Sequence, residues 1–332
     1  MNDRIRWGVL STGRNALLRF VPAAMASRNG VVAAIASRDL ARAREAAARF
    51  GIERAYGSYQ ELLADPRVDA IYNSLPNSLH GEWTIRAAEA GKPVLCEKPL
   101  ARDAAEAQAM VDACRRHGVL LMEAFMYRFH PQHARVRTLL DDGVIGDIRV
   151  VRATNTFFMD PVNPRNVRLQ KDLAGGALMD VGCYCVNAAR LLFGEEPEWA
   201  AAQCDRWDDS GVDVSVAGIL GFADGRMALI DGSFRVGRQG WYMIAGTKGQ
   251  IELPIAFTNT TPDTSILITD DQGQREERIP GVNQFVLEAE AFAEALLQGG
   301  PAPIPPEDGV ATMRAIDALY RSAAADGRRM AI

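Results

Sequence analysis

The chain has 332 residues, 48% of them hydrophobic and 24% charged, the balance of a folded protein long enough for two cores. Its 37 basic and 42 acidic residues leave a net charge of −5 with no basic block, which gives no electrostatic footprint for nucleic acid. No apolar run reaches membrane-spanning length and the first residues lack a signal peptide's long apolar core, so a cytoplasmic protein engaging neither nucleic acid nor membrane is expected.

Residues 5–124 alternate strand and helix. The periodicity predicts strands at 5–10, 31–36, 68–73, 94–96 and 119–123, and helices over 14–27, 39–50, 78–90 and 103–117. Strands separated by helices of this length imply βαβ crossovers and a parallel sheet covered on both faces. Asp39, Ser58 and Asp103 stand where N-caps are expected, and Pro22 breaks or kinks the first helix. After about residue 124 the pattern changes. A helix at 131–141 precedes strand-like runs at 148–158, 198–207, 212–222, 225–234, 239–245, 249–253 and 265–269, with turn signals at Asp142-Gly143, Asp224-Gly225 and Lys248-Gly249. Helices at 175–193, 283–298 and 306–326 interrupt or follow them, and the PAPIPP segment at 301–306 is a stiff link. The expected fold class is α/β. A doubly wound, dinucleotide-binding parallel sheet fills residues 1–124, and an α+β unit with a large, mostly antiparallel open sheet fills 125–332. Such a sheet hides one face under helices or leaves it for a partner, so a homo-oligomer built on that face is expected.

The five cysteines are odd in number and mostly in apolar surroundings, which reads as buried reduced thiols. His130 and His133 have no cysteine or carboxylate cluster at metal-site spacing, so no metal centre is expected. The first strand runs into Ser11-Thr12-Gly13-Arg14-Asn15-Ala16 and then a helix. This is the place for a G-x-G-x-x-G/A turn, here S-x-G-x-x-A. Gly13 would let the backbone approach a pyrophosphate at the helix N-terminus. The second strand ends at Ser37-Arg38, a hydroxyl and a cation where an NAD enzyme usually places a carboxylate. NADP is therefore the expected cofactor, with NAD as the alternative. At the next strand end Leu75-Pro76 forms a rigid apolar edge, Asn77 caps the following helix and His80 lies on its ligand side.

Val94-Leu95-Cys96 delivers Glu97-Lys98-Pro99 at the carboxyl end of a buried strand, where ligands bind in open α/β sheets. Further on, Gly175-Gly176 precede an apolar helix carrying Asp180 and Tyr184 at i,i+4, on one face. Acid–base chemistry on a hydroxyl or carbonyl needs a proton carrier. Tyrosine serves if a lysine lowers its pKa, and Lys98 could be that lysine.

The stretches Glu97-Lys98-Pro99, Gly175-Gly176 through Asp180 to Tyr184, Leu75-Pro76-Asn77 to His80, and Glu123 through Arg128 to Pro131 together resemble the glucose–fructose oxidoreductase/inositol dehydrogenase (Gfo/Idh/MocA) family over nearly the whole chain. Tyrosine at 184 and the opening Arg6-Trp7-Gly8-Val9-Leu10-Ser11-Thr12 resemble the branch with glucose–fructose oxidoreductase, dimeric dihydrodiol dehydrogenase and NADP-dependent D-xylose 1-dehydrogenase. The resemblance implies a Rossmann domain, a second domain whose open sheet serves a homodimer or homotetramer, and hydride transfer to or from a sugar, polyol or related small molecule. Lys98 matches the catalytic lysine and Asp180 the helix aspartate, with Tyr184 as proton carrier. Cofactor contacts are expected from Ser11, Thr12, Gly13, Arg14, Asn15, Ser37, Arg38, Leu75, Pro76, Asn77, His80, Glu97, Lys98 and Arg128. Substrate contacts are expected from Arg165, Asn166, Arg168, Asp180 and Tyr184. Gln284-Phe285 falls where relatives carry a tyrosine. Within the family, oxidation of a dihydrodiol and reduction of a nucleotide-linked keto-sugar are alternatives, and a non-catalytic NADP-binding sensor is a third.

Overall fold

The computed structural model describes residues 4–159, 166–207, 210–258 and 262–332. The chain divides into two compact units. One comprises the chain through Met126 together with Asn283–Val310, the other Tyr127–Val282 with Ala311–Ile332. A single division at 124/125 therefore does not describe the chain, because a C-terminal segment returns to the first unit.

The first unit is a six-stranded sheet of β1 (Ile5–Leu10), β2 (Gly30–Ala36), β3 (Arg54–Tyr56), β4 (Ala70–Asn73), β5 (Val94–Glu97) and β6 (Leu121–Ala124). Every pairing is parallel and the order is β3-β2-β1-β4-β5-β6. This is the doubly wound order, and it reverses direction between β1 and β4, where such sheets bind ligands. The crossovers are α1 (Val21–Ala26), α2 (Leu40–Phe50), α3 (Tyr59–Leu63), α4 (His80–Glu89) and α5 (Ala104–His117). Asp39, Ser58 and Asp103 cap α2, α3 and α5, their side chains accepting from Ala41, Glu61 and Glu106 N–H groups. Such caps contribute about 1 kcal/mol each. The first helix is irregular beside Pro22, as its position in the helical pattern suggests. A π-helical turn, Ala16–Phe20, interrupts the winding that starts at Arg14 and leads into α1, which carries Pro22.

β3 and α3 carry no sequence periodicity long enough to predict, being three and five residues long. In the core, Trp7 meets Phe20 edge-on at 5.2 Å and Phe292 at 5.7 Å. Phe292 comes from α8 (Gln284–Gln298), which packs against β1, β2 and α1. That contact brings the C-terminal segment back to this unit.

The second unit holds α6 (Pro131–Asp141), β7 (Ile148–Thr156), α7 (Cys183–Phe193), β8 (Trp199–Arg206), β9 (Asp213–Gly221), β10 (Met227–Ser233), β11 (Gln239–Gly246), β12 (Gln250–Leu253), β13 (Thr264–Asp270), β14 (Gly273–Ile279), most of α9 (Pro306–Ala323) and β15 (Met330–Ala331). The nine strands form one sheet, β14-β13-β12-β11-β7-β10-β9-β8-β15, antiparallel except for the β7–β10 pair. β14, Gly-Gln-Arg-Glu-Glu-Arg-Ile, lies at the sheet edge with charges on both faces and offers no apolar alternation to predict it. α7 packs on β7 and β10, over Val151, Ala153 and Ile230. On the opposite face Met227 and Leu229 remain about two-fifths exposed.

Candidate active site

The nucleotide half belongs to the first unit. β1 ends at Leu10, and helical winding begins at Arg14. Ser11, at the first glycine position of the fingerprint, holds φ at 125°, a backbone region that favours glycine. Its Oγ accepts the Gly13 N–H at 2.8 Å, so the tight turn survives the substitution. Thr12 is half-buried, and Gly13, Arg14 and Asn15 are exposed beside the helix start. Asn15 donates to Glu97 Oε1 at 2.7 Å and to the Tyr72 hydroxyl at 3.2 Å. The Tyr72 hydroxyl donates to the same Glu97 oxygen, and its ring stacks on Phe20. Burial pushes the Glu97 carboxyl up, while the Lys98 charge and these hydrogen bonds oppose the shift. Lys98 follows at the end of β5, half-buried.

At the end of β2, Ser37 is buried. Its Oγ accepts the Asp39 N–H at 3.2 Å, which leaves the hydroxyl proton to be donated outward. Arg38 is exposed and stands beside the Tyr59 phenol, which burial pushes up and Arg38 pulls down. Asp39 is committed to the cap of α2, as its position suggests. Across the switch point, Ser74 donates to the Leu10 carbonyl at 3.3 Å and ties β4 to β1. Leu75 is buried and Pro76 half-buried at this edge.

Two expectations are corrected here. Asn77 is not a helix cap; it opens the 3-10 turn Asn77–Leu79, and the cap positions fall on Pro76 and Leu79. His80 does not face a ligand. It is fully buried, with Nδ1 2.9 Å from the Pro99 carbonyl and Nε2 2.9 Å from the Leu75 carbonyl. Burial lowers its pKa to about 4, so the ring is neutral and donates to one of the two carbonyls. His80 is a strut between the Leu75 and Lys98 strand ends.

The substrate half belongs to the second unit. Gly175 and Gly176 are required by close approach: a Cβ at 175 would lie 2.4 Å from the Arg168 carbonyl, and one at 176 would lie 2.2 Å from Asp213 Oδ1. Gly176 also holds φ at 130°. The helix that follows is not α-helical throughout. A π-helical turn, Leu178–Gly182, carries Asp180 and leads into α7, which carries Tyr184. Such turns recur at functional sites.

Asp213 pins this helix start. Its Oδ2 accepts the Leu178 N–H at 2.7 Å and its Oδ1 accepts the Tyr320 hydroxyl at 2.9 Å. Arg168 donates from Nε to Asp180 Oδ2 at 2.5 Å, and the Asp180 charge raises the guanidinium's pKa. The Tyr184 ring lies 6.0 Å from Tyr127 and 5.6 Å from Phe257. The Tyr127 hydroxyl donates to Asn187 Oδ1, on the same helix as Tyr184, at 2.6 Å. This shelf holds the phenol in place.

Asn166 is less available than expected. Its Oδ1 accepts the Arg168 N–H at 3.2 Å as a cap, and its amide reaches the Met159 sulfur. Arg128 is half-buried on the turn Met126–Phe129. Arg165 lies outside the described residues. Gln284 and Phe285 are buried in the first unit. Asp213, Tyr320 and Tyr72 were not singled out from the sequence, since no local spacing links them to the residues they hold.

The first unit's residues fit a dinucleotide. The glycine-conformation turn at Ser11, the bare helix start at Gly13 and the Ser37–Arg38 pair would hold pyrophosphate and ribose phosphate. Among the described residues no group of three or more His, Cys, Asp or Glu is arranged to hold a metal, and no helix is long and apolar enough to cross a membrane.

Known proteins match along the whole chain. The model of the oxidoreductase family with an NAD-binding Rossmann fold matches residues 5–125, and that of the GFO/IDH/MocA C-terminal domain matches 133–252. The D-xylose 1-dehydrogenase (NADP(+)) 2 of Haloferax volcanii is 41% identical over 320 residues, 96% of this chain and 97% of that protein. Two crystal structures superpose closely. The 3-ketoreductase KijD10 of Actinomadura kijaniata, in complex with NADP and TDP-benzene, has a TM-score of 0.91 at 35% identity, covering 96% of this chain and 98% of that one. The aldose-aldose oxidoreductase of Caulobacter crescentus, complexed with glycerol, has a TM-score of 0.91 at 29% identity, covering 99% and 100%. Built on a doubly wound sheet and matched by both family models and by a relative 41% identical over 96% of its length, the chain belongs to the Gfo/Idh/MocA family of oxidoreductases.

Proposed function

We propose that the protein is an NADP-dependent oxidoreductase acting on the hydroxyl or carbonyl carbon of a sugar or polyol. When bound, the nicotinamide supplies or accepts the hydride. Tyr184 carries the proton at its phenolic oxygen. Lys98 hydrogen-bonds the reacting oxygen, and Asp180, oriented by Arg168, positions the substrate. Ser37 donates its hydroxyl proton, and Arg38 its charge, to a ribose 2′-phosphate. The observation that carries this reading is Lys98 directly after β5 together with Asp180 and Tyr184 on one helix start, in a chain 41% identical to an NADP-dependent xylose dehydrogenase. Relatives that reduce keto-sugars make the reverse direction an arm of the test.

The decisive experiment follows reduced-nicotinamide absorbance with NADP or NAD and a panel of aldoses, polyols and dihydrodiols, and with NADPH and keto-sugars. Turnover with NADP and one sugar class is expected. Turnover only with NAD overturns the roles of Ser37 and Arg38. NADPH binding with no turnover on any substrate overturns the enzyme reading in favour of a sensor.

The reading includes a cytoplasmic homodimer or homotetramer. The oligomer's support is the face of the second sheet where Met227 and Leu229 stand about two-fifths exposed, in register with Gly221 and Ile219. Leu229→Glu, placing a charge on that face, is expected to yield monomers by light scattering.

A further inference from the structure

The second unit contains a cavity of about 270 Å³ that none of the proposed chemistry uses. Leu169, Val214 and Phe234 form its inner wall, which belongs to a buried cluster with Ala177 and Val181 from the helix start that carries Asp180. Phe158, Met159, Trp207 and Arg235 also line it, and Phe158 is 67% exposed. Backbone hydrogen bonds fix these walls: Met159 N–H donates to the Phe234 carbonyl, Phe234 N–H to Val214 and Trp207 N–H to Val212, each at 2.8 Å.

Among the described residues of the lining, Arg235 is the one that carries a charge. Its guanidinium lies 5.7 Å over the Trp207 ring, and its Nε is 3.1 Å from Asp205. Arg168 joins the cavity to the proposed reaction site. Its chain neighbour Leu169 lines the wall, its guanidinium lies 5.8 Å over Phe157, and its Nε holds Asp180.

These observations select the occupant. A bare sugar brings several hydroxyls, and burying a hydroxyl without a partner costs roughly 1–3 kcal/mol. A diphosphate needs uncompensated cations, and Arg235 already faces a carboxylate. An aromatic ring or another flat apolar group matches the three aromatic and three aliphatic walls among the described residues. We propose that this cavity is a subsite for an apolar, preferably aryl, group carried by the substrate sugar, with Phe158 as its outer wall. The inference rests on the sugar-oxidoreductase reading and narrows it. A sugar whose anomeric oxygen bears an aryl group cannot be oxidised at that carbon. The reaction therefore falls on another hydroxyl-bearing carbon of the sugar: its C–H hydrogen leaves as hydride to NADP⁺, its O–H proton passes to the Tyr184 phenolate, and the carbon becomes a carbonyl with the glycosidic bond intact.

The test compares kcat/KM for methyl and phenyl glycosides of glucose and xylose in the native protein and in Phe158→Ala. Phenyl is expected to exceed methyl at least tenfold, and the ratio is expected to fall below threefold in the variant. Calorimetry on the NADP-loaded protein gives a second readout, with the phenyl glycoside binding at least tenfold more tightly than the methyl. Equal values for the two glycosides, in turnover and in binding, overturn the subsite while the sugar reading stands. Preference for a nucleoside-diphosphate sugar over the phenyl glycoside also overturns it. Absence of turnover on every sugar, with phenyl still favoured in binding, overturns the sugar reading and leaves the apolar subsite standing.

Discussion

The two units present their chemistry by different means. In the first, Ser11, Ser37, Leu75 and Lys98 each follow the end of their own strand: β1, β2, β4 and β5. Strand order alone aligns them, because parallel strands deliver all their carboxyl ends to one edge. In the second, Asp180 and Tyr184 sit at one helix start that distant residues hold in place. Arg168 lies 12 residues before Asp180, Asp213 lies 35 beyond Leu178, and Tyr320 lies 107 beyond Asp213. A site built on strand ends is robust to single changes in its surroundings. A site built on a pinned helix start is sensitive to its pins.

Substitutions can break this contrast. The largest effect on activity is expected from Lys98→Met, which should lower kcat by about 1,000-fold, within the 10²–10⁴-fold reach of one proton-handling group. NADP affinity by calorimetry should stay within a few-fold, since the turn at Ser11 and the Ser37–Arg38 pair are untouched. A fully active variant would sink the mechanism.

Gly176→Ala tests the pin from the other side. Its Cβ would meet Asp213 Oδ1 at 2.2 Å on a backbone with φ at 130°. A loss of about 3 kcal/mol in stability is expected from strain and a displaced carboxylate, measured by urea unfolding. A similar loss of stability is expected on acidification. An unfolded histidine titrates near 6.5, whereas His80 stays neutral in the fold to about 4. Between those values the unfolded chain binds the proton and the folded chain does not, so stability falls with pH by about 1.4 kcal/mol per unit, ~3 kcal/mol across the window. Burial holds His133, in the second unit, neutral to about 3, and it acts in the same direction. Melting temperatures from pH 7 to 4 check this, and His80→Gln should flatten the slope.

Asp213→Asn keeps the shape of the pin but turns an amide N–H₂ toward one of two donors, Leu178 N–H or the Tyr320 hydroxyl. It should cost about 2 kcal/mol, and kcat should fall more than the NADP Kd rises. Tyr127→Phe, which removes the 2.6 Å hydrogen bond to Asn187, should cost about 1 kcal/mol. If Asp213→Asn left kcat unchanged, the helix start would hold its shape without its pin, and the contrast between the units would fail.

Much was legible without coordinates. Alternation of apolar runs with Asp39-, Ser58- and Asp103-capped helices determined the doubly wound sheet, because caps and periodicity are local. The Glu97-Lys98-Pro99 strand end and the spacing of Asp180 to Tyr184 marked the chemistry for the same reason. Tertiary structure alone decided the rest. It buried His80 between two carbonyls, which its position in a ligand-side motif does not reveal. It set Ser11 in a glycine conformation and replaced the first turn of the Tyr184 helix by a π-helical one. It returned α8 to the first unit through Phe292 against Trp7. It also brought Asp213 and Tyr320 to Leu178. Each of these outcomes depends on contacts between residues far apart in the chain, and hydrogen-bond satisfaction and close packing become definite only when those residues meet.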